Sequence, residues 1–201
     1  MNLKSDDTRN RILKAAFDEF AAHGIAGARI DRIAISAGVN KAMIYYHFPG
    51  KQELFNVIFQ TEMDLLKQEV AAVLQQRDTS STTDMSTAVR ELLEYVASKK
   101  KLLAILMAES TRPESRLPYL FQLLNISTAI GQENAASNGR SLPEQSDQEA
   151  LFEELFSGLL PIIHFILLQD GMKAYYGWSD EEMIDRFVTY FLRHHGGYSY
   201  Q

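Results

Sequence analysis

The sequence predicts an all-α protein of about nine helices, and three observations carry this prediction. Apolar residues recur at the three- and four-residue spacings of amphipathic helices through most of the chain. Only 5 prolines and 11 glycines interrupt its 201 residues. No segment alternates apolar and polar residues in the way that is typical of a β-strand.

Local signals at the helix ends support the individual elements. Gly24 and Gly38 are suited to helix C-termini because glycine accepts a positive φ. Asn40 is a suitable N-cap, and Ser179 with Glu182 has the spacing of a capping box. The predicted helices cover about residues 6–23, 30–37, 41–48, 51–75, 84–98 or 86–98, 100–110, 117–136, 149–169 and 180–195.

Charge is distributed unevenly along the chain. The whole chain has 20 Lys and Arg against 26 Asp and Glu, a formal net charge of −6, which argues against a nucleic-acid partner. Residues 1–55, however, hold eight basic and six acidic residues, a net charge of +2. Residues 56–201 hold the other twelve basic and twenty acidic residues, a net charge of −8. We therefore expect any anion-binding surface at the N-terminus.

Composition and motifs argue against several classes of protein. The absence of cysteine excludes disulfides and thiolate catalysis and fits a cytoplasmic protein. The N-terminus has no apolar segment of the secretory type, and the apolar stretch at 155–168 is too short to span a bilayer. No phosphate-binding loop, nucleophile elbow or metal-ligand spacing is present, so we predict no enzyme, cofactor, metal or membrane partner.

The segment from Ala34 to Ile44 has the spacing of a helix-turn-helix. Ala34 is small enough for the third helix to cross there, and Gly38 can take the left-handed conformation that reverses the chain. Val39 and Ile44 fill the angle between the two helices. Ala42 then faces outward, with Lys41 and the two tyrosines beside it, and such a helix end can enter a major groove.

Two stretches, TRNRILKAAFDEFAAHG and RIDRIAISAGVNKAMIYYHFPGKQELF, closely resemble the N-terminal DNA-binding domain of the TetR (tetracycline-repressor-like) family. The resemblance covers about residues 8–59 and implies a DNA-binding domain at 1–52 and a helical effector-binding and dimerisation domain at 53–201. It also implies roles for single residues. Base edges are read by Lys41, Ala42 and Tyr45, and the DNA backbone is contacted by Tyr46, His47 and Lys51.

The sequence departs from the family pattern at two places, and the charge of Asp31 is a separate obstacle to DNA binding. Ala28 and Arg29 stand where a hydroxyl residue usually opens the second helix, so Arg29 is expected to contact phosphate instead. Met43 also replaces a hydroxyl residue and is not counted as a phosphate ligand. Asp31 projects from the DNA side and repels phosphates unless it accepts from a cytosine amine or pairs with a neighbouring arginine.

The larger domain carries two further predictions. Apolar residues of the last two helices are expected to form a homodimer interface, although much of this surface can instead be core within one chain. This set comprises Leu155, Leu159, Ile162, Ile163, Ile166, Phe187, Tyr190 and Phe191. An apolar effector pocket is expected among the middle helices, although such residues are more often packed core. Its candidates are Met63, Leu66, Tyr95, Leu103, Met107, Tyr119, Phe121, Phe152 and Phe156.

These observations predict a homodimeric repressor that binds a palindromic double-stranded DNA operator and is released by a small, largely apolar effector. The alternative is a helical protein-interaction module that has neither DNA binding nor a ligand switch. Salt dependence distinguishes them, because DNA binding releases counterions and weakens as salt rises.

Overall fold

The computed structural model describes residues 3–75, 81–112, 118–137 and 147–194. Within these ranges it contains nine continuous helices and no strand, which confirms the predicted fold class. The helices are α1 (Leu3–Gly27), α2 (Ile30–Ala37), α3 (Lys41–His47), α4 (Lys51–Gln75), α5 (Thr82–Ser98), α6 (Lys100–Ser110), α7 (Pro118–Ser137), α8 (Asp147–Glu153, Glu154–Leu159 and Leu160–Tyr176 without a break) and α9 (Asp180–His194).

The predicted helix ends are confirmed where a local signal defines them. Gly24 has φ 67° and ψ 170°, so regular α1 geometry stops there as expected, and one more turn follows. Gly38 has φ 65° at the end of α2. The amide of Glu182 donates to Ser179 Oγ at 3.2 Å, and Glu182 Oε2 accepts from the Ser179 amide at 2.9 Å. The capping box of α9 is therefore formed in both directions.

Two predicted helix boundaries are wrong. Helix α5 begins at Thr82 rather than at residue 84 or 86, because Ser81 Oγ accepts from the amide of Asp84 at 3.4 Å and caps the helix earlier. Helix α8 continues to Tyr176 rather than ending near residue 169, and Gly177, with φ 72°, ends it. Parts of the two predicted loops, at 76–80 and 138–146, and residue 195 lie outside the described residues.

A π-helical segment, Glu154–Leu159, lies within α8 directly before Pro161. The amide of Leu160 donates to the carbonyl of Leu155, a five-residue spacing. Proline lacks an amide proton and its ring clashes with the preceding helical turn. The wider π turn accommodates Pro161 without breaking the helix.

Helix α8 is longer than the apolar stretch from which the sequence predicts that no segment spans a bilayer. From Gln148 to Tyr176 it runs for 29 residues and is long and apolar enough to cross a bilayer by length and composition. The stretch at 155–168 suggests otherwise, because it is shorter than this helix and is interrupted by Ser157, Gly158, Pro161 and His164. The criterion is weak on its own, since the core helices of many globular proteins also meet it.

The chain divides into two compact units. The first comprises Met1–Asp64 and Ala104–Tyr119, and the second comprises Leu65–Leu103 and Leu120–Gln201. The predicted functional boundary between residues 52 and 53 falls inside the first unit and stays a prediction. Side chains that are completely or almost completely buried in the first unit are Ile12, Ala16, Phe20, Ile33, Ile44, Phe48, Leu54, Phe55 and Phe59. One buried cluster of the second unit contains Val89, Leu93, Val188, Phe191 and Leu192.

Candidate nucleic-acid interface

The turn between α2 and α3 is held by backbone and side-chain hydrogen bonds. The amides of Gly38 and Val39 donate to the carbonyls of Ile35 and Ala34 at 3.1 and 3.0 Å. Arg11 of α1 donates through Nη1 to the carbonyl of Ala37 at 3.0 Å. Since the carbonyls in the last turn of a helix lack intrahelical donors, Arg11 ties the end of α2 to α1.

Helix α3 has one buried and one exposed face. Asn40 caps it, its Oδ1 accepting from the amide of Met43 at 2.8 Å. Ile44 is fully buried and fixes the helix on the core. The predicted base-reading residues all lie on the exposed face, and they are Lys41, Ala42 and Tyr45.

Asp31 and Lys41 form an ion pair on this surface. The ammonium of Lys41 lies 2.9 Å from Asp31 Oδ1, and both side chains are about half exposed. The hydrogen bond from Lys41 and the charge of its ammonium hold the pKa of Asp31 below its ordinary value. The same contact raises the pKa of Lys41. Asp31 therefore pairs with a lysine from the next helix, whereas the sequence had suggested an arginine.

The N-terminus of α2 is stabilised by a residue of α1. Arg29 at the N-cap position makes no capping bond with its own side chain. Instead, Glu19 Oε1 accepts from the amide of Arg29 at 3.0 Å and from Arg32 Nε at 2.7 Å. Glu19 thus supplies an acceptor where Ala28 and Arg29 offer no hydroxyl group. The sequence does not predict the role of Glu19, because a single glutamate in α1 carries no signal of a contact ten residues further along the chain.

Burial and hydrogen bonding act in opposite directions on Glu19. Desolvation raises the pKa of Glu19, but hydrogen bonds from the Arg29 amide and the Arg32 guanidinium, with the charges of Arg32 and His23, outweigh it. The net effect lowers the pKa, which keeps the carboxylate ionised. Its side chain is only 10% exposed, so the carboxylate has little contact with water. Its charge is therefore stabilised mainly by its hydrogen-bond partners.

The residues predicted to contact the DNA backbone differ in their surroundings. Tyr46 is 80% exposed and its ring packs edge-on against His47, which is partly buried. Among the described residues, the guanidinium of Arg29 makes no hydrogen bond or ion pair. Lys51 Nζ donates to the carbonyls of Ala26 and Ala28 at 2.6 and 3.4 Å. Lys51 thus supports the segment before α2, and its phosphate contact stays a prediction.

Comparison with known proteins also identifies the N-terminal part of the chain as a DNA-binding region. Residues 12–58 match the family model described as bacterial regulatory proteins, tetR family. The N-terminal part of the chain therefore matches the TetR family. A transcriptional repressor of Streptomyces coelicolor, SCO4008, is 40% identical over 102 residues, which is 51% of this chain and 49% of that protein. The repressor NicS of Pseudomonas putida is 33% identical over 94 residues, covering 47% and 41%.

These alignments span about half the length of the curated TetR-family relatives or less. Solved structures extend the likeness of the fold to nearly the whole chain. FadR from Bacillus halodurans has a TM-score of 0.67 at 18% identity, covering 96% of this chain and 97% of that one. FadR from Bacillus subtilis, solved with stearoyl-CoA, has a TM-score of 0.64 at 17% identity, covering 92% and 97%. At these identities the match concerns the fold alone.

Tyr119, a predicted effector-pocket residue, contacts α4 within the first unit. Its ring packs against those of Phe55 and Phe59, with centroid distances of 4.9 and 4.8 Å. Its hydroxyl accepts from Gln52 Nε2 and donates to Asn56 Oδ1. Burial raises the pKa of Tyr119, which keeps the hydroxyl protonated and able to donate.

The other predicted pocket residues fall in both compact units. Met63 and Met107 belong with Tyr119 to the first unit, and the remaining six belong to the second. Three of those six are exposed rather than enclosed, which is unusual for a cavity lining, namely Phe121, Phe152 and Phe156. Phe152 and Phe156 pack on each other with ring centroids 4.7 Å apart. Leu66 and Tyr95 are partly buried and Leu103 is buried. The pocket stays a prediction.

Half of the predicted dimer residues are core within one chain. Leu159, Ile163, Ile166 and Phe191 are at most 7% exposed. Their side chains are packed against their own chain, so they offer little surface to a partner, and their place in an interface stays a prediction. The sequence had left this alternative open, since helical periodicity does not distinguish an internal face from an intermolecular one.

The other half keeps some accessible surface. Ile162 and Phe187 are partly buried against the cluster of Val89 and its neighbours, and Leu155 is also partly buried. Tyr190 is 56% exposed and stacks on His194. A dimer interface built from these residues stays a prediction.

Proposed function

We propose that this chain is a sequence-specific DNA-binding repressor that acts as a homodimer. One observation carries the proposal: α3 exposes Lys41, Ala42 and Tyr45 on a buried framework that matches the tetR-family domain. Lys41 donates to guanine, Ala42 contacts a thymine methyl group, and Tyr45 makes the third base contact. Backbone contacts come from Arg29, Tyr46, His47 and Lys51, which fix the register without reading sequence.

Two copies read a palindrome in this proposal. A single α3 reaches too few base pairs for a specific site, and a two-fold dimer places a second α3 about 34–36 Å away, one turn of DNA further. Exposed apolar side chains on α8 and α9 support self-association, because such groups are usually covered. They include Phe152, Phe156, Leu168, Tyr175, Tyr176 and Tyr190.

The effector is proposed to be small and largely apolar. The curated relatives include repressors and the activator FasR of Mycolicibacterium smegmatis, so repression is the part of the proposal that a reporter gene must test. The Bacillus subtilis neighbour was solved with stearoyl-CoA, which makes this compound the first probe. To shift a two-state population from 1:99 to 99:1, an effector must bind the released conformation about 10⁴-fold more tightly.

Selection of bound sequences from a random DNA pool tests the proposal. We expect a palindromic sequence to be enriched, and its affinity to fall linearly with salt on logarithmic axes. Tyr45→Ala should alter the enriched sequence, whereas Leu65→Ala, which truncates a 43% exposed apolar residue of α4, should leave it unchanged. Enrichment of no sequence by the unaltered protein contradicts DNA recognition and favours the protein-interaction module.

Sedimentation velocity tests the homodimer. We expect the unaltered protein to sediment as a dimer and Leu168→Glu, which places a charge at a 54% exposed apolar position, to shift it towards monomer and weaken binding to the palindrome. Lys101→Glu changes charge at an exposed position of α6 and serves as the control. A monomeric unaltered protein that still binds the palindrome contradicts this part.

A further inference from the structure

The ion pair between Asp31 and Lys41 presents a donor and an acceptor side by side on the exposed surface. An ammonium group has three donors, and the contact with Asp31 Oδ1 at 2.9 Å uses one of them. A carboxylate has about four acceptor sites, of which Lys41 occupies one. Two donors of Lys41 and several acceptor positions of Asp31 therefore stay available to a third group.

A G·C base pair offers the complementary arrangement in the major groove. Guanine presents the acceptors N7 and O6, and cytosine presents the N4 donor next to O6. O6 and N4 are hydrogen-bonded to each other in the base pair, at the ordinary separation of about 2.9 Å. The ammonium–carboxylate pair has the same separation with the opposite polarity.

We propose that Asp31 and Lys41 together read one G·C base pair in one orientation. This inference rests on the proposed DNA-binding function and assigns a specificity role to Asp31. Lys41 donates to guanine O6 and N7 with its two remaining donors, while Asp31 accepts from cytosine N4. The two contacts reinforce each other because the ion pair holds both side chains at the required spacing.

The same pair disfavours the other base pairs. In an A·T pair the adenine N6 donor faces the ammonium and the thymine O4 acceptor faces the carboxylate, so both contacts are repulsive. A reversed C·G pair exchanges donor and acceptor with the same result. A reversed T·A pair keeps an acceptor (O4) and a donor (N6) in these two places, but it presents the thymine methyl group where Lys41 would contact N7, so one contact is lost. Without Asp31, no carboxylate repels a base acceptor at the second position. Lys41 alone can donate to any base acceptor within reach, so it discriminates less between base pairs.

Asp31 also weakens the general attraction to DNA, and this effect makes its proposed role testable. Its negative charge lies on the surface that faces phosphates, and the ammonium of Lys41 offsets it. Removing Asp31 leaves Lys41 with an uncompensated positive charge. General affinity for DNA then rises while discrimination at one base pair falls, a combination that a merely structural role does not produce.

The test compares selected sequences for the unaltered protein, Asp31→Ala, Asp31→Asn and Lys41→Ala. We expect the unaltered protein to prefer G·C at one position of each half-site by about tenfold or more, within the range of a good paired base contact. Asp31→Ala should reduce this preference to about twofold or less and leave the other positions unchanged. Asp31→Asn retains an acceptor but loses the ion pair, so its preference should be intermediate.

Asp18→Ala is the matched control. Asp18 pairs with Lys14 at 3.3 Å on the exposed surface of α1, so this substitution removes the same charge from a second lysine pair of the same unit. Its selected sequence should equal that of the unaltered protein. Thermal unfolding of all variants checks that each one is folded.

Three outcomes overturn the inference. They are an unchanged preference in Asp31→Ala, the same loss in Asp18→Ala, and losses at different base pairs in Asp31→Ala and Lys41→Ala. If the unaltered protein enriches no sequence, the proposed function itself fails, and this result is distinct from the other three.

Discussion

Lys51 at the start of α4 donates to the carbonyl oxygen of Ala26 at 2.6 Å, across 25 residues of sequence. A second, longer contact reaches the carbonyl of Ala28. The residue that the family resemblance assigns to DNA phosphate is therefore also a link between α4 and the segment that leads into α2. The two roles are compatible because an ammonium group has three donors.

Substitution of Lys51 by methionine separates these roles. Methionine keeps most of the length of the side chain but removes the charge and the donors. We expect the free energy of unfolding to fall by about 1 kcal/mol, since the carbonyls of Ala26 and Ala28 lose a partly exposed charged donor. We also expect the logarithmic salt slope of DNA binding to fall by about one. Urea denaturation and anisotropy titrations at several salt concentrations measure the two effects.

Lys14→Met is a control for Lys51, because Lys14 is an exposed lysine of α1 that contacts only Asp18 among the described residues. Loss of stability in Lys51→Met with an unaltered salt slope would remove Lys51 from the phosphate contacts and leave it a structural role.

Glu19 is expected to matter more for stability than an exposed glutamate. Glu19→Ala leaves the amide of Arg29 and the guanidinium of Arg32 without their acceptor, and we expect a loss of roughly 2 kcal/mol. Glu19→Gln retains an acceptor for the amide and should recover part of this loss. Glu94→Ala, at an exposed position of α5, is the comparison. Equal unfolding free energies for the Glu19 and Glu94 variants would contradict the role of Glu19 at the start of α2.

The contribution of Glu19 should depend on pH. Its pKa in the folded protein is lowered, so the unfolded chain binds a proton more readily than the folded one. The stabilisation is therefore fully present above the unfolded pKa of about 4.3 and is lost as pH falls through the lower folded pKa. The difference in unfolding free energy between the unaltered protein and Glu19→Gln should shrink below about pH 4. A difference that is constant from pH 7 to pH 3 contradicts the assignment.

Tyr119 should stabilise the first unit through both its ring and its hydroxyl group. Tyr119→Phe removes the hydrogen bonds to Gln52 and Asn56, and we expect a loss of about 1 kcal/mol. Tyr119→Ala also removes the ring from Phe55 and Phe59 and should cost about 3 kcal/mol. Tyr175→Phe removes a hydroxyl group from an 82% exposed side chain and should change the unfolding free energy little. A Tyr119→Phe variant as stable as Tyr175→Phe would show that the hydroxyl contacts contribute nothing.

Gly38 should resist substitution for conformational reasons. Its φ of 65° is costly for any residue with a Cβ atom, and an added Cβ would lie 3.4 Å from Arg11 Nη1. We expect Gly38→Ala to lower the free energy of unfolding by about 1–2 kcal/mol. Gly50→Ala is the matched control, because an added Cβ at Gly50 meets nothing within 4 Å. Equal effects of the two substitutions would contradict this account of the turn.

The sequence by itself determined the features that depend on neighbouring residues. Each of these features follows from a pattern a few residues long: the nine helices of the described ranges, the positive φ of Gly24 and Gly38, the Asn40 cap and the capping box of α9. The inward position of Ile44 and the exposure of Lys41 follow in the same way, because helical periodicity separates two faces of a short helix.

Only the tertiary structure decided which distant groups meet. Glu19 reaches Arg32, Lys51 reaches Ala26, and Tyr119 reaches Asn56 across 13, 25 and 63 residues. It also decided that Ile166 is packed inside its own chain. The physical reason is that periodicity tells which face of a helix is apolar, whereas the angle and register at which helices pack determine what that face contacts.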